Sequence, residues 1–290
     1  MHILEELSNR YPQLLLPIEA GISETERFRD AVLRGNPVGG KPDFSFSPGD
    51  ALTSCDTPAG PAEILFLADR ADFVHAYRAL GYRCEPEEIP PSVGAATIIG
   101  LINWEKIHTH MDAWLAAGNT DRDGEFRRFT SNRENYCDTL ILLSGGAYSS
   151  VPADRAGLDG EEWIRKSVTI RKYHELTHFV CRRKAPEKKD ALRDEIYADC
   201  IGLIAAFGRY DPYLAAMFLG IESGSFREGG RLSHYMKEDP QGSVGTARRW
   251  IAEATERVAR AYENCAVPGW DALSQKEREE QLFALLLRIY

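Results

Sequence analysis

The chain has 290 residues, 43% hydrophobic and 27% charged, a balance that excludes a wholly disordered, collagenous or low-complexity protein. Its 35 Lys+Arg against 44 Asp+Glu give a formal net charge of −9, which excludes bulk electrostatic attraction to nucleic acid or anionic lipid. No run approaches the roughly 18 uncharged apolar residues of a membrane span, so no membrane partner is expected.

The start, MHILEELSNRYPQLLLPIEAG, carries Glu5, Glu6 and Pro12 where a secretion signal would be basic and then apolar. The six cysteines contain no CxxC pair and read as reduced, mostly buried thiols. Together these point to a cytoplasmic protein. Residues 1–60 are expected to form a short helical segment and a linker, because 36–63 is too rich in Gly, Pro and Ser for continuous helix. Residues 61–290 would then form the main domain.

Within it, 62–68 (AEILFLA) reads as a strand or a helix start and 69–82 as a helix. GAATIIGLI from Gly94 passes into the helical NWEKIHTHMDAWLAAG, and the polar NTDRDGEFRRFTSNRENY that follows reads as an exposed loop. The apolar run 139–143 is a buried strand leading into glycines. From Asp159 the pattern is helical. Asp159 and Glu162 have capping-box spacing, Arg182, Arg183 and Lys184 suit the far end of the dipole, and Pro186 stops the helix. Further helices are expected near 189–207, 212–221, 243–264 and 271–290, with a Gly-rich loop over 222–242. The class is α+β, a small sheet with an active-site helix and a mainly helical C-terminal half.

The chemistry lies in HELTH, 174–178. Its two imidazoles are one helical turn apart and so share a face, where one zinc can take both as ligands. Glu175 lies beside that face, positioned as a general base toward a metal-bound water. Downstream, DEIYAD places Glu195 and Asp199 one turn apart on the next helix. Glu195 would be the third ligand, leaving the fourth position open, and Asp199 would accept a hydrogen bond from the noncoordinating nitrogen of His174. The neighbours Ile196, Cys200, Ile201, Leu203 and Ile204 make that helix apolar on most sides, which turns both acids inward, where an acid pair without a cation is costly. Asp199→Asn is expected to weaken the metal without unfolding the protein.

The pattern His174-Glu-Leu-Thr-His178 followed by Glu195-Ile-Tyr-Ala-Asp199 resembles the gluzincin superfamily of thermolysin-like zinc metallopeptidases, with HExxH on one helix and ExxxD on the next. The resemblance covers 174–199 alone. It implies a zincin-like domain that holds Zn2+ through His174, His178 and Glu195 and cleaves a peptide or protein substrate with Glu175 as base. It also implies a strand upstream that pairs with extended substrate, here 139–143 continuing into 144–148. Oxyanion donors downstream of the motif would be His234 and Tyr235, with Tyr148 and Tyr210 behind them. The alternatives are a noncatalytic binding or regulatory protein that keeps the fold, and a zinc hydrolase of a non-peptide amide. Oligomeric state is not legible.

Other features have plainer readings. His108 and His110 fall on a helical pattern, where positions two apart diverge and cannot share a metal as they would on a strand. Arg171, Lys172, Arg182, Arg183 and Lys184 read as a solvated helix surface, and Cys181 and Cys200 as small packing residues.

Overall fold

The computed structural model describes every residue except 1, 41–42, 186–189, 229 and 237. The predicted helix stop at Pro186 and helix start at Lys189 lie outside the described residues. Contacts divide the chain into two units, one of 1–54, 63–89 and 96–144, the other of 55–62, 90–95 and 145–290. The division therefore does not follow the boundary expected near residue 60. The physical reason is packing: α1 (Ile3–Arg10) and the turns after it bury Leu4, Leu7, Tyr11 and Leu14 in the same core as Leu65, Phe73 and Leu140. The Gly/Pro-rich stretch interrupts helix without separating a domain.

The first unit begins with α1 and the single-turn α2 (Glu26–Phe28), followed by the greater part of β1 (Ala51–Thr57) and of β2 (Gly60–Leu67), whose residues 55–57 and 60–62 count with the second unit. Next come α3 (Arg70–Gly81), capped by Asp69, then β3 (Ala95–Ile102), and α4 (Trp104–Ala116), capped by Asn103. Then α5 (Arg122–Thr130) and β4 (Cys137–Ser144) complete it. Sheet order is β1-β2-β4-β3, with β2 and β4 parallel and Leu65 opposite Leu142. The strand expected to pair with an extended substrate is thus β4, an interior strand whose two edges are taken by β2 and β3. Its expected continuation leaves the sheet after Ser144, and Tyr148–Ser150 forms a 3-10 turn. The burial of every residue from Leu140 to Ser144 is the signature of a strand covered on both faces.

The polar stretch expected as a loop contains α5. Its one buried residue is Glu125, which forms a salt bridge with Arg128 on its own helix and a hydrogen bond with His110 of α4, and Phe129 stacks on His110 against Trp104, Ile107 and Met111, so polar contacts and one ring hold a helix with a narrow apolar face.

The second unit is built on α6 (Gly160–Lys184) and α7 (Ala191–Phe207), which pack along one another. Asp159 caps α6 by accepting the Glu162 amide, and Asp190 caps α7 by accepting the Arg193 amide. Gly208, in the left-handed region with φ 68°, ends α7. Around α7 lie α8 (Pro212–Leu219), a short ribbon of β5 (Ile221–Glu222) and β6 (Ser225–Phe226), and α9 (Leu232–Tyr235). Then α10 (Val244–Ala261) and α11 (Gln275–Ile289) close the unit. Three short elements therefore occupy the stretch expected as one Gly-rich loop. No helix among the described residues is long and apolar enough to cross a membrane.

Candidate metal centre

Residues 163, 167, 171, 174 and 178 of α6 succeed one another at helical spacings of four and three, so Trp163, Ser167, Arg171, His174 and His178 form one stripe. On α7 Glu195 and Asp199 share a face in the same way. The two helices approach closely because of Gly202: a Cβ there would stand 2.8 Å from the Ile170 carbonyl oxygen and 3.0 Å from Ile170 Cγ2. Ile170 is one turn before His174, so this missing side chain lets the ligand-bearing turns meet.

They meet in one cluster. His174 Nε2 and His178 Nε2 are 3.1 Å apart, and Glu195 places Oε2 at 3.2 Å from the first and Oε1 at 3.2 Å from the second. Zinc bonds of about 2.0–2.1 Å in a tetrahedron separate neighbouring donors by roughly 3.3 Å. The two nitrogens are spaced as neighbouring ligands of one tetrahedral cation, Glu195 meets each of them with a different oxygen, and one ligand atom from each of the three lies within 4.8 Å of the others, the group of potential metal ligands found among the described residues. Three donors account for three of the four positions of a tetrahedron.

The far side of His174 is just as constrained. Its Nδ1 lies 2.9 Å from Asp199 Oδ1, so Nδ1–H donates to the carboxylate and Nε2 is the nitrogen turned toward the cluster, the one that would give up its proton to a cation. Asp199, 1% exposed, also accepts from the Tyr148 hydroxyl at 2.6 Å and from the Arg231 guanidinium at 3.3 Å. Arg231 is buried as well. It donates through Nη1 to Tyr148 Oη and Ser149 Oγ, both at 2.9 Å, and through Nη2 to Glu195 Oε2 at 3.4 Å. Tyr235 Oη donates to Glu195 Oε2 at 2.8 Å.

These contacts set the protonation states. Burial, the largest single influence on His174, disfavours its charged form, yet hydrogen bonds to Asp199 and Glu195 outweigh it and raise the imidazole to about 10. Burial likewise would raise both acids. The charge of Arg231 and the His174 bond hold Asp199 below its ordinary value instead, and bonds from His174 and His178 hold Glu195 well below its own. Two ionised acids against one guanidinium leave one negative charge uncompensated. A proton on His174 balances it in the metal-free protein, and a bound cation would take that proton's place.

The structure thus brings together His174, His178, Glu195 and Asp199, with Glu175 half-buried in the same turn of α6. Tyr235 joins the cluster, whereas His234 is exposed and makes no hydrogen bond to it among the described residues. Tyr148 stands on the Nδ1 side of His174, with its hydroxyl on Asp199. The Tyr210 hydroxyl is buried without a hydrogen-bond partner among the described residues. Arg231 reaches the cluster from a Gly-rich stretch without periodicity, where its nearness to Tyr235 in sequence is the one available signal. Arg171 is not solvated as expected, being buried with its fork on the Gly146 and Ala147 carbonyls at 2.7 and 2.8 Å. Cys181 and Cys200 are buried thiols, and burial pushes the Cys200 thiol well above its ordinary range, as suits packing residues. His108 and His110 are on α4, with His110 engaged by Glu125.

Fold and site define an α+β protein with a two-histidine, one-glutamate cluster able to hold a metal ion. The chain belongs to a family of unknown function, DUF7005, whose model matches residues 2–287. No curated protein and no solved structure matches it.

Proposed function

We propose that the chain is a zinc-dependent metallopeptidase with a zincin-like catalytic core, acting in the cytoplasm on a peptide or protein substrate. The observation that carries this reading is the convergence of His174, His178 and Glu195 within one cluster, with Glu175 adjacent and Asp199 behind His174. Zinc held there supplies a Lewis acid and a lowered water pKa, the two requirements for hydrolysing an unactivated carbonyl.

The chain's own residues supply the rest. Glu175 takes the proton of the attacking water and passes it to the leaving amine nitrogen. Asp199 keeps the Nδ1 proton on His174, which fixes the ring with Nε2 toward the ligand cluster. Tyr235 retains its proton, because burial raises its hydroxyl above the ordinary range despite the opposing charge of Arg231. Its O–H, which donates to Glu195 Oε2, would turn from that carboxylate to a developing oxyanion. The six cysteines, all thiols rather than disulfides, suit a reducing compartment.

The test is digestion of a mixed peptide library read by mass spectrometry, for the wild-type chain, the chain treated with a chelator, and Glu175→Gln. Cleavage that is lost in the second and third samples while Glu175→Gln still binds zinc supports the reading. Bound zinc with no peptide cleaved by the wild type favours the noncatalytic alternative.

A further inference from the structure

We infer that Tyr148 is a positioning residue for the His174–Asp199 pair, carried on a strap, residues 145–151, that α6 itself holds in place. The inference rests on the metal-centre reading above. It starts from the α6 stripe. The last two residues of that stripe are the histidines, and the first three grip the strap: Trp163 Nε1 donates to the Val151 carbonyl at 2.7 Å, Ser167 Oγ accepts from the Tyr148 amide at 3.0 Å, and Arg171 forks onto the Gly146 and Ala147 carbonyls. Tyr148 and His174 are therefore referenced to one rigid helix.

The strap is not relaxed chain. Ser149 and Ser150 both lie in the left-handed region, at φ 52° and 55°, where side chains other than glycine persist only if their surroundings impose it. Ser149 is held there by Arg231 through its hydroxyl. The Tyr148 ring is buried edge-on against Phe218, centroids 4.8 Å apart, with the Arg171 and Arg231 guanidinium carbons 5.7 and 5.2 Å from its centre. Neither ring nor backbone is free to swing.

What this delivers is one oxygen. Tyr148 Oη is 2.6 Å from Asp199 Oδ1, 3.0 Å from His174 Nδ1 and 2.9 Å from Arg231 Nη1. Arginine can only donate and an ionised carboxylate can only accept, so the hydroxyl donates to Asp199 and accepts from Arg231. Asp199 Oδ1 is thereby fixed along the line on which it receives His174 Nδ1–H. Since Nδ1 and Nε2 lie on opposite sides of the ring, Tyr148 acts on the ligand cluster only through His174.

The test is zinc affinity by chelator competition and the visible spectrum of the cobalt-loaded chain, for wild type, Tyr148→Phe, Ser167→Ala and Tyr210→Phe. Tyr148→Phe keeps the ring and loses the oxygen; zinc binding is expected to weaken about tenfold, the lower end for removal of a group that orients a metal ligand, with a shifted cobalt spectrum. Ser167→Ala, which touches no member of the cluster, should weaken binding in the same direction and by less. It carries the test should Tyr148→Phe fail to fold. Tyr210→Phe, a buried tyrosine whose hydroxyl has no partner among the described residues, should leave affinity unchanged. Wild-type binding with Tyr148→Phe within twofold of it and an unshifted spectrum overturns the inference alone. Absence of zinc binding in the wild type overturns the metal-centre reading, and this inference with it.

Discussion

Replacing Asp199 with Asn preserves the shape of the side chain and removes one buried charge. In the folded protein that carboxylate receives His174 Nδ1–H at 2.9 Å, the Tyr148 hydroxyl at 2.6 Å and Arg231 at 3.3 Å. An amide accepts on its oxygen but turns an NH2 group toward one of those donors, so at least one contact becomes donor against donor. Removing one partner of a buried ion pair costs about 3–5 kcal/mol. Arg231 keeps a second acid, Glu195 at 3.4 Å, which argues for the lower end, about 3 kcal/mol. Set against a total stability of about 5–15 kcal/mol, the variant folds but with a large loss. The sequence alone led to an effect on the metal without one on the fold; the burial of Arg231 against Asp199 adds the second. Urea denaturation of the metal-free protein followed by the fluorescence of its 5 tryptophans measures the first quantity, and chelator competition the expected 10–100-fold fall in zinc affinity. A stability loss below about 1 kcal/mol together with unchanged zinc affinity would refute the account of this network.

Three further outcomes follow from the same geometry. Gly202→Ala gains about 1 kcal/mol of helix propensity, but its Cβ meets the Ile170 carbonyl oxygen at 2.8 Å, and such overpacking costs about 1–3 kcal/mol. The variant should melt lower and bind zinc more weakly, and a variant as stable as wild type would show that α6 and α7 do not need this close approach. In the metal-free chain His174, raised to about 10 from an ordinary value near 6.5, contributes stability that is fully present below about pH 6.5 and lost as pH rises through 10. Denaturation midpoints across that window should fall in the wild type and flatten in His174→Gln; equal slopes would contradict the assigned hydrogen bonds. Tyr235→Phe removes the hydroxyl that donates to Glu195 Oε2, so hydrolysis, once measured, should fall while the fold is retained, and full activity would remove Tyr235 from the site.

Residues 174–199 were the legible part of the site because helix geometry is regular: an i,i+4 pair on a capped helix has a known face, and apolar neighbours on α7 fix which way Glu195 and Asp199 point. Spacing puts Asp199 on the face of Glu195, and the close approach of α6 and α7 at Gly202 brings it to His174 Nδ1. Arg231 and Tyr148 were not legible as members of one network, because they come from irregular backbone whose path is set by long-range hydrogen bonds to α6 and α7 rather than by local period. The same distinction separates the elements. The ends of α3, α4 and α6 lie close to their capping residues, whereas α5 is held by Glu125 bonded to His110 of α4 and shows too narrow an apolar stripe to read. The run LILL in β4 announced a strand and, being apolar at successive positions, also a strand covered on both faces; its assignment to a substrate-pairing edge came from the resemblance and not from its own pattern.

The central claim is that two imidazoles and one carboxylate, delivered by α6 and α7, hold a single zinc ion. Elemental analysis of the purified chain, paired with His174→Ala purified identically, tests it most directly. One zinc per wild-type chain and essentially none in the variant is the expected result; equal metal content in both, or none in a folded wild type supplied with zinc, would contradict it.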